Sequence, residues 1–267
     1  MPLLQLVLIA VIQGITEFLP ISSSGHLILL PALTGYEDQG QAIDVAVHVG
    51  TLFAVIFYFW QDAKHVFSGV PKLLIGRFHT PDARLALLLA VASVPVISFG
   101  LILKITGLND ELRSIAVIGW AMLVFGFFLF WADQVGESHK TDKDWSLQDA
   151  MIIGIWQAVA LIPGTSRSGI TITGARFLGY GRHDSAKLAM LMSIPTILAS
   201  GIYLAAESFA TADARVWLDG AIAAFFAFLA ALASLAVMMR LLRRVSFTPY
   251  VVYRIALGLV LLWIAYT

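Results

Sequence analysis

Four apolar stretches of the sequence contain no Asp, Glu, Lys or Arg over 19 or 20 residues. They occupy residues 85–103, 114–132, 188–206 and 220–239. At 1.5 Å of rise per helical residue, each is long enough to cross a hydrocarbon core of roughly 30 Å. Of the 267 residues, 59% are hydrophobic and only 13% are charged, a composition far from that of soluble domains. The sequence therefore predicts an all-α integral membrane protein.

Two further stretches, 45–61 and 250–267, bring the predicted membrane spans to six. The last contains Arg254 near its start, and this side chain is expected to snorkel to the interface. The acidic residues of 133–149 are expected to form a solvated loop. The net charge of zero excludes the basic surface that nucleic-acid binding requires, and the absence of cysteine excludes thiolate chemistry.

Two other apolar stretches, 3–34 and 150–178, are each interrupted by Pro, Gly and hydroxyl residues. The first break contains Pro20-Ile-Ser-Ser-Ser-Gly25, and the second runs from Pro163 to Gly169. Broken backbone at membrane depth cannot face lipid, because its free N–H and C=O groups need partners. Both stretches are therefore predicted to be re-entrant helical hairpins, enclosed by protein or lining a cavity.

The two breaks resemble each other at a constant offset of 144 residues: Gln13 matches Gln157, and Ser22-x-Ser-Gly matches Ser166-x-Ser-Gly. Each is followed by three spans, which predicts one membrane domain, 1–267, with pseudo-repeats at 1–132 and 145–267. An odd number of crossings per repeat inverts the second copy. Successive connections carry 4, 2, 5, 1 and 3 Lys or Arg residues, an alternation that places both termini outside.

The inverted arrangement would bring the two breaks together near the midplane. Arg167 is the most informative residue there, because a lone charge within the membrane is costly. It is interpreted as an anion clamp, the alternative being a structural ion pair with Glu17. Glu17 is accordingly that partner, a metal ligand or a base. His26 is a proton carrier or nucleophile unless it is a core histidine.

Asp44 and His48 are four residues apart. The alternative is that they hold other site residues in place, but a plain interfacial pair is the favoured interpretation. Together the residues predict a hydroxyl-rich anion site inside the bilayer that suits a phosphate or diphosphate head group. On architecture alone, a transporter of anions or lipid phosphates is the favoured interpretation, because inverted repeats and broken helices are typical of secondary transporters.

Both motifs resemble those of the bacterial undecaprenyl-diphosphate phosphatases, also called bacitracin resistance proteins. The first stands here as Gln13-Gly-Ile-Thr-Glu17-Phe-Leu-Pro-Ile-Ser-Ser-Ser-Gly-His26, and the second as Pro163-Gly-Thr-Ser-Arg-Ser-Gly169. Length and span count agree as well, so the resemblance covers the whole chain. One departure is Gln13, where many members have a second carboxylate.

The resemblance implies hydrolysis of undecaprenyl diphosphate to undecaprenyl phosphate and inorganic phosphate with a divalent cation, Mg²⁺ or Ca²⁺. This reaction recycles the lipid carrier of peptidoglycan synthesis at the outer, periplasmic face of the plasma membrane and confers bacitracin resistance. The expected partners are the polyprenyl diphosphate and membrane lipids, with a homodimer left open and no nucleic acid.

The resemblance also implies roles for the residues of the two motifs. Glu17, with Gln13, would hold the cation, and Arg167 would neutralise the diphosphate. His26 handles the proton or attacks phosphorus, and Ser23 is the rival nucleophile, with direct attack by water also open. The remaining motif residues are assigned to substrate binding: Ser22, Ser24, Gly164, Thr165, Ser166, Ser168, Gly169 and Thr171. Transport or flipping of an anionic lipid phosphate remains the alternative function.

Overall fold

The computed structural model describes residues 1–31, 35, 40–107, 112, 114–208 and 214–267, without the side chains of 203–208 and 214. The helices of the first half are α1 (Leu3–Phe18), α2 (Ser23–Leu27), α3 (Gly40–Tyr58), α4 (Trp60–Leu74), α5 (Pro81–Thr106) and α6 (Ile115–Val135). Those of the second half are α7 (Leu147–Ala158), α8 (Arg167–Phe177), α9 (Arg182–Ser208), α10 (Ala214–Leu241) and α11 (Thr248–Tyr266). Short 3₁₀ turns lie at Asp142–Asp144 and Val159–Leu161.

In the described part of the chain, six helices are long and apolar enough to cross a membrane: α3, α5, α6, α9, α10 and α11. The predicted all-α membrane class and the six spans are thus confirmed. The first span differs at its ends, because α3 stops at Tyr58 and α4 begins at Trp60. Residues 32–34 of the first broken stretch lie outside the described residues.

The helix ends follow local sequence signals. The Thr80 hydroxyl accepts the N–H of Ala83 at the start of α5, where Pro81 is the first helical residue, and Gly107 ends the helix at a φ of 72°. Ser114 caps α6 in the same way. A hydroxyl N-cap and a left-handed glycine satisfy backbone groups that a helix end leaves free.

Close packing between the halves uses small residues, as is usual in membranes. Helix α10 packs against both α1 and α3, and α11 packs against α6. Gly14 of α1 lies against the backbone of Ala227, and Gly50 of α3 against that of Ala224. A Cβ at either glycine would collide with α10, so first-half helices lie directly on second-half ones.

The expectation of a solvated acidic loop at 133–149 is wrong for two of its residues. Asp133 is buried and accepts hydrogen bonds from Arg182 Nε at 2.6 Å and from Phe247 N at 3.0 Å. Asp149 is also buried and accepts the Tyr180 hydroxyl at 2.7 Å. Burial and this carboxylate raise the pKa of the Tyr180 hydroxyl above its ordinary value. Both acids thus belong to helices, α6 and α7, and join them to later segments of the chain.

Candidate active site

Both predicted breaks are present. Helix α1 ends at Phe18 and α2 begins at Ser23; α7 and its 3₁₀ turn end at Leu161, and α8 begins at Arg167. Ser22 and Ser166, which precede α2 and α8, have φ values of 69° and 68°. Positive φ is uncommon for a residue other than glycine and concentrates at functional sites. The re-entrant and inverted placement of these segments stays a prediction.

The two breaks are joined by matching hydrogen bonds. Ser24 Oγ accepts the N–H of Gly164 at 3.0 Å, and Ser168 Oγ donates to the carbonyl of Leu19 at 3.1 Å. Within each break the flanking serines are paired, with Oγ–Oγ distances of 2.9 Å for Ser22 and Ser24 and 3.1 Å for Ser166 and Ser168. Each break thus uses a serine to hold the backbone of the other.

A cavity of about 340 Å³ lies where the breaks meet. Its polar lining comprises Glu17, Ser22, Ser23, Ser24, His48, Gly164, Ser166, Arg167, Thr196 and Ser200. Its apolar lining comprises Val96, Ala160, Leu161, Ile162, Pro163 and Ile197. The lining therefore combines hydroxyl and charged groups with aliphatic side chains.

Arg167 and Glu17 form an ion pair in this cavity, with Nη2 to Oε1 at 2.7 Å. Their side chains are only 14% and 9% exposed. The structural alternative foreseen for Arg167 is therefore present, and the pair still faces the cavity. Since each charge compensates the other away from water, the pair can remain in the membrane without a ligand.

Gln13 organises the carboxylate side of the site. Its fully buried amide donates from Nε2 to Glu17 Oε2 at 2.8 Å, and the same nitrogen lies 3.2 Å from His48 Nε2. His48 Nδ1 is 2.7 Å from the Asp44 carbonyl, which can only accept. The ring proton therefore lies on Nδ1, and Nε2 accepts from Gln13.

The interpretation of His48 and Asp44 as an interfacial pair is wrong, because the His48 ring lies at the cavity and does not pair with the Asp44 carboxylate there. His48 lines the cavity, 3.8 Å from Glu17 Oε2, and its bond to Asp44 is made to the backbone. One sequence signal could have identified this residue, namely a single histidine inside an apolar span. The acid four residues earlier favoured the interfacial interpretation instead.

Ser23 and His26 are placed differently. Ser23 lines the cavity, with its Oγ 3.5 Å from Glu17 Oε2. His26 is outside the cavity lining: Nδ1 contacts the carbonyl of Ser22 and Nε2 the hydroxyl of Tyr253, each at 2.7 Å. The His26 and Tyr253 rings also stack, with centroids 5.5 Å apart. The structure thus brings Ser23, and not His26, to the Glu17–Arg167 pair.

The predicted substrate-binding residues divide into two layers. Ser22, Ser24, Gly164 and Ser166 line the cavity. The others, Thr165, Ser168, Gly169 and Thr171, are buried outside its lining. The Thr171 hydroxyl, for example, donates to the Arg167 carbonyl at 2.7 Å.

Arg254 does not snorkel. Its side chain is fully buried, and it donates to the carbonyls of Pro20, Gly164 and Thr165 at 3.4, 3.1 and 2.8 Å. The prediction failed because a charge near the start of a span was assumed to reach the interface. It reaches the two breaks instead.

The donor set suits a divalent cation held jointly with a substrate. Among the described residues, no group of three or more His, Asp or Glu side chains could hold a metal. Mg²⁺, however, commonly binds through one or two carboxylates plus substrate phosphates. Glu17 is such a carboxylate, and Gln13 Oε1 is a buried oxygen without a hydrogen-bond partner. Glu17 lines the cavity and suits a cation, whereas Gln13 lies outside the lining and turns its nitrogen, not its oxygen, toward Glu17.

Fold and site define a polytopic membrane protein with a buried, charge-paired cavity between two serine-rich helix breaks. The family model described as "Bacitracin resistance protein BacA" matches residues 6–260, and the chain belongs to that family. It is 67% identical over 266 residues to a protein named undecaprenyl-diphosphatase from Jannaschia sp. (strain CCS1), with all of both chains covered. The same name belongs to relatives from Ruegeria pomeroyi (66% over 267 residues, all of both chains) and Teredinibacter turnerae (46% over 265 residues, 99% of this chain and all of the other).

Proposed function

We propose that the chain hydrolyses undecaprenyl diphosphate to undecaprenyl phosphate and inorganic phosphate, recycling the lipid carrier of peptidoglycan synthesis. The observation that carries this function is the Glu17–Arg167 pair in a cavity lined by hydroxyl groups and aliphatic side chains. A prenyl diphosphate combines polar and apolar groups in the same way. The shared name of relatives at 60–67% identity supports the same activity.

The terminal phosphate is bound by Arg167 and by the N-terminus of α8. A helix start leaves N–H groups unpaired and favours anions, and here the Ser166 side chain takes only the N–H of Gly169. When the diphosphate arrives, Arg167 shares its charge between Glu17 and the phosphate oxygens. A guanidinium aimed at developing phosphoryl charge is among the largest contributions to such reactions.

Glu17 would hold the divalent cation, and Gln13 would be a second donor only with its amide oxygen, in place of its nitrogen, turned toward Glu17. When bound, the cation neutralises phosphate charge. Gln13 keeps the carboxylate oriented through its amide N–H, and the His48 ring fixes the amide in turn.

Ser23 is the preferred nucleophile, because its Oγ lies in the cavity next to Glu17. Attack on the terminal phosphorus breaks the bond to the bridging oxygen, and undecaprenyl phosphate leaves. The hydroxyl proton passes to Glu17, and water then releases the phosphate from the serine. His26 supports the first break through the Ser22 carbonyl, and direct attack by water is the simpler variant of the same scheme.

We further propose that both termini lie outside and that the cavity opens to the outer, periplasmic face, as the distribution of Lys and Arg favours. Removal of the diphosphate at that face would confer resistance to bacitracin.

The test is phosphate release from undecaprenyl diphosphate by the purified chain in detergent. The assay compares Mg²⁺, Ca²⁺ and EDTA, with Glu17→Ala and Arg167→Ala as site variants. Glu137→Ala is the matched control, because this carboxylate is 80% exposed. We expect metal-dependent release that is lost in both site variants and retained in the control. Absence of release from folded wild type would favour the alternative, transport of an anionic lipid phosphate.

A further inference from the structure

Arg254 is a fully buried arginine of α11 whose guanidinium contacts both helix breaks. Its acceptors are three backbone carbonyls, one from the first break (Pro20) and two from the second (Gly164 and Thr165). Within the described part of the chain it forms no ion pair, unlike Arg167. A buried cation compensated only by peptide dipoles is costly at membrane depth, so packing alone is a poor reason for its presence.

The two breaks can be compared at matching glycines, Gly25 in the first and Gly169 in the second, to show which side chain packs behind each. A Cβ on Gly25, at the start of α2, would meet Met122 Sδ of α6 at 2.6 Å. A Cβ on Gly169, its match 144 residues later, would meet Arg254 Nη1 at 2.8 Å. The two breaks share backbone conformation and serine pairing, yet one is backed by a thioether and the other by a guanidinium. The contact behind the glycine therefore requires bulk and not charge, so the charge of Arg254, whose Nη1 also reaches Pro20 of the first break, serves another purpose.

The geometry of the peptide bonds indicates that purpose. In a trans peptide the N–H points opposite to the C=O of the same unit. The Thr165 carbonyl that Arg254 holds at 2.8 Å belongs to the unit that carries the N–H of Ser166. Arg254 therefore directs this N–H away from itself, and Ser166 is a residue of the cavity lining.

We propose that Arg254 is a positioning residue of the diphosphate site, an inference that rests on the proposed function. Through the Thr165 carbonyl it turns the N–H of Ser166, the residue that precedes α8, toward the bound phosphate. Its positive charge also compensates the bound anion from the side of the second break that faces away from the cavity, while Arg167 does so from within the cavity.

The experiment measures KM and kcat for phosphate release from farnesyl diphosphate, together with thermal unfolding, for wild type and two variants. Arg254→Gln keeps a hydrogen-bond donor and removes the charge. Arg254→Lys keeps the charge but cannot reach all three carbonyls. We expect KM to rise about ten- to hundredfold in the Gln variant, as losing charge-assisted hydrogen bonds would give, and less in the Lys variant. We expect kcat to change only a few-fold.

Arg176→Lys is the matched control, since Arg176 is also buried among backbone carbonyls but lies beside Asp133. It should lower the unfolding temperature and leave KM unchanged. A purely structural Arg254 would behave in the same way, because misfolded enzyme lowers apparent kcat and not KM. An unchanged KM in Arg254→Gln would therefore overturn the proposal, and so would an unchanged KM in Arg254→Lys if the Gln variant fails to fold.

Failure of the proposed function gives a different result. If wild type releases no phosphate, the binding of inorganic pyrophosphate by calorimetry replaces KM. Weaker binding in the Arg254 variants than in Arg176→Lys would then support the positioning role at a non-hydrolytic anion site. Equal binding in all of them would reject it.

Discussion

The two helix breaks have nearly the same backbone and opposite chemistry. Ser22 has φ and ψ of 69° and 106°, and Ser166 has 68° and 110°. Each precedes a helix that starts with x-Ser-Gly. At the intervening position, however, the first break has Ser23 and the second has Arg167.

Other positions at the same offset diverge as well. Glu17 of the first half corresponds to Leu161 of the second, and His26 corresponds to Ile170. The carboxylate and the nucleophile candidates thus come from one break and the guanidinium from the other. Matching turns create the cavity, and the differences between them create its charge pair.

The largest effect is expected from replacing Glu17 with the residue found at the corresponding position of the second break. Glu17→Leu gives the first break the residue of the second and leaves Arg167 without its partner. We expect phosphate release to fall by about 10³-fold or more, with a lower unfolding temperature because a buried charge is unpaired. Leu161→Ala, in the apolar lining of the cavity, is the control. Retention of a tenth of the activity by Glu17→Leu would contradict the assigned role.

Ser23→Ala removes the hydroxyl next to Glu17 without changing charge. If Ser23 is the nucleophile, kcat should fall by about 10³-fold while KM stays within a few-fold. Ser200→Ala, which also lines the cavity, should remain active. A Ser23→Ala enzyme within tenfold of wild type would instead favour direct attack by water.

Gly25 and Gly169 test the side chains that pack against each break, Met122 at the first and Arg254 at the second. Gly25→Ala pushes against Met122, whose thioether adapts easily, and activity should stay within about threefold. Gly169→Ala pushes against Arg254, which three carbonyls hold in place. We expect about a tenfold rise in KM, by the loss of a charged hydrogen bond. Equal effects of the two substitutions on KM would show that Arg254 and Met122 support the two breaks in the same way.

The apolar lining of the cavity should affect the prenyl chain and not the phosphates. Val96→Trp fills this space, and we expect KM to rise several-fold for both undecaprenyl diphosphate and farnesyl diphosphate, because both bury the same first isoprene units there, with little change in the affinity for inorganic pyrophosphate. Ile97→Trp, at a side chain 48% exposed, is the control. An unchanged KM for both lipids would place the prenyl chain elsewhere.

A small effect is expected from Tyr253→Phe. It removes the hydroxyl that contacts His26 Nε2 and keeps the stacked ring. Because His26 is outside the cavity lining, loss of one neutral hydrogen bond, about 1 kcal/mol, should lower kcat by no more than about fivefold. A much larger loss of kcat would indicate that His26 takes part in the reaction as a proton carrier or nucleophile.

The sequence predicted the features that depend on local pattern. The six spans follow from length and apolarity, and both breaks follow from Pro, Gly and Ser within apolar segments. The meeting of Glu17 and Arg167 was predicted through the repeat and the cost of lone charges. Whether the repeat is inverted stays a prediction, as do the roles of the motif residues.

What the sequence missed depends on contacts between distant segments. His48, Tyr253 and Arg254 each lie on a long span whose rotation is set by packing against other helices, and no local signal gives that rotation. Arg254 was assigned to the interface although a charge inside a span was itself the clue. The burial of Asp133 likewise depends on Arg182, 49 residues later in the chain.

The contacts of Arg254 also have a consequence for biogenesis. Its carbonyl acceptors at Pro20 and Gly164 lie 234 and 90 residues earlier in the chain. During synthesis the first break therefore enters the membrane long before the arginine that holds it exists. The contacts of Arg254 with both breaks can form only after α11 has been inserted, so partly synthesised chains lack the arginine that joins the two breaks from behind.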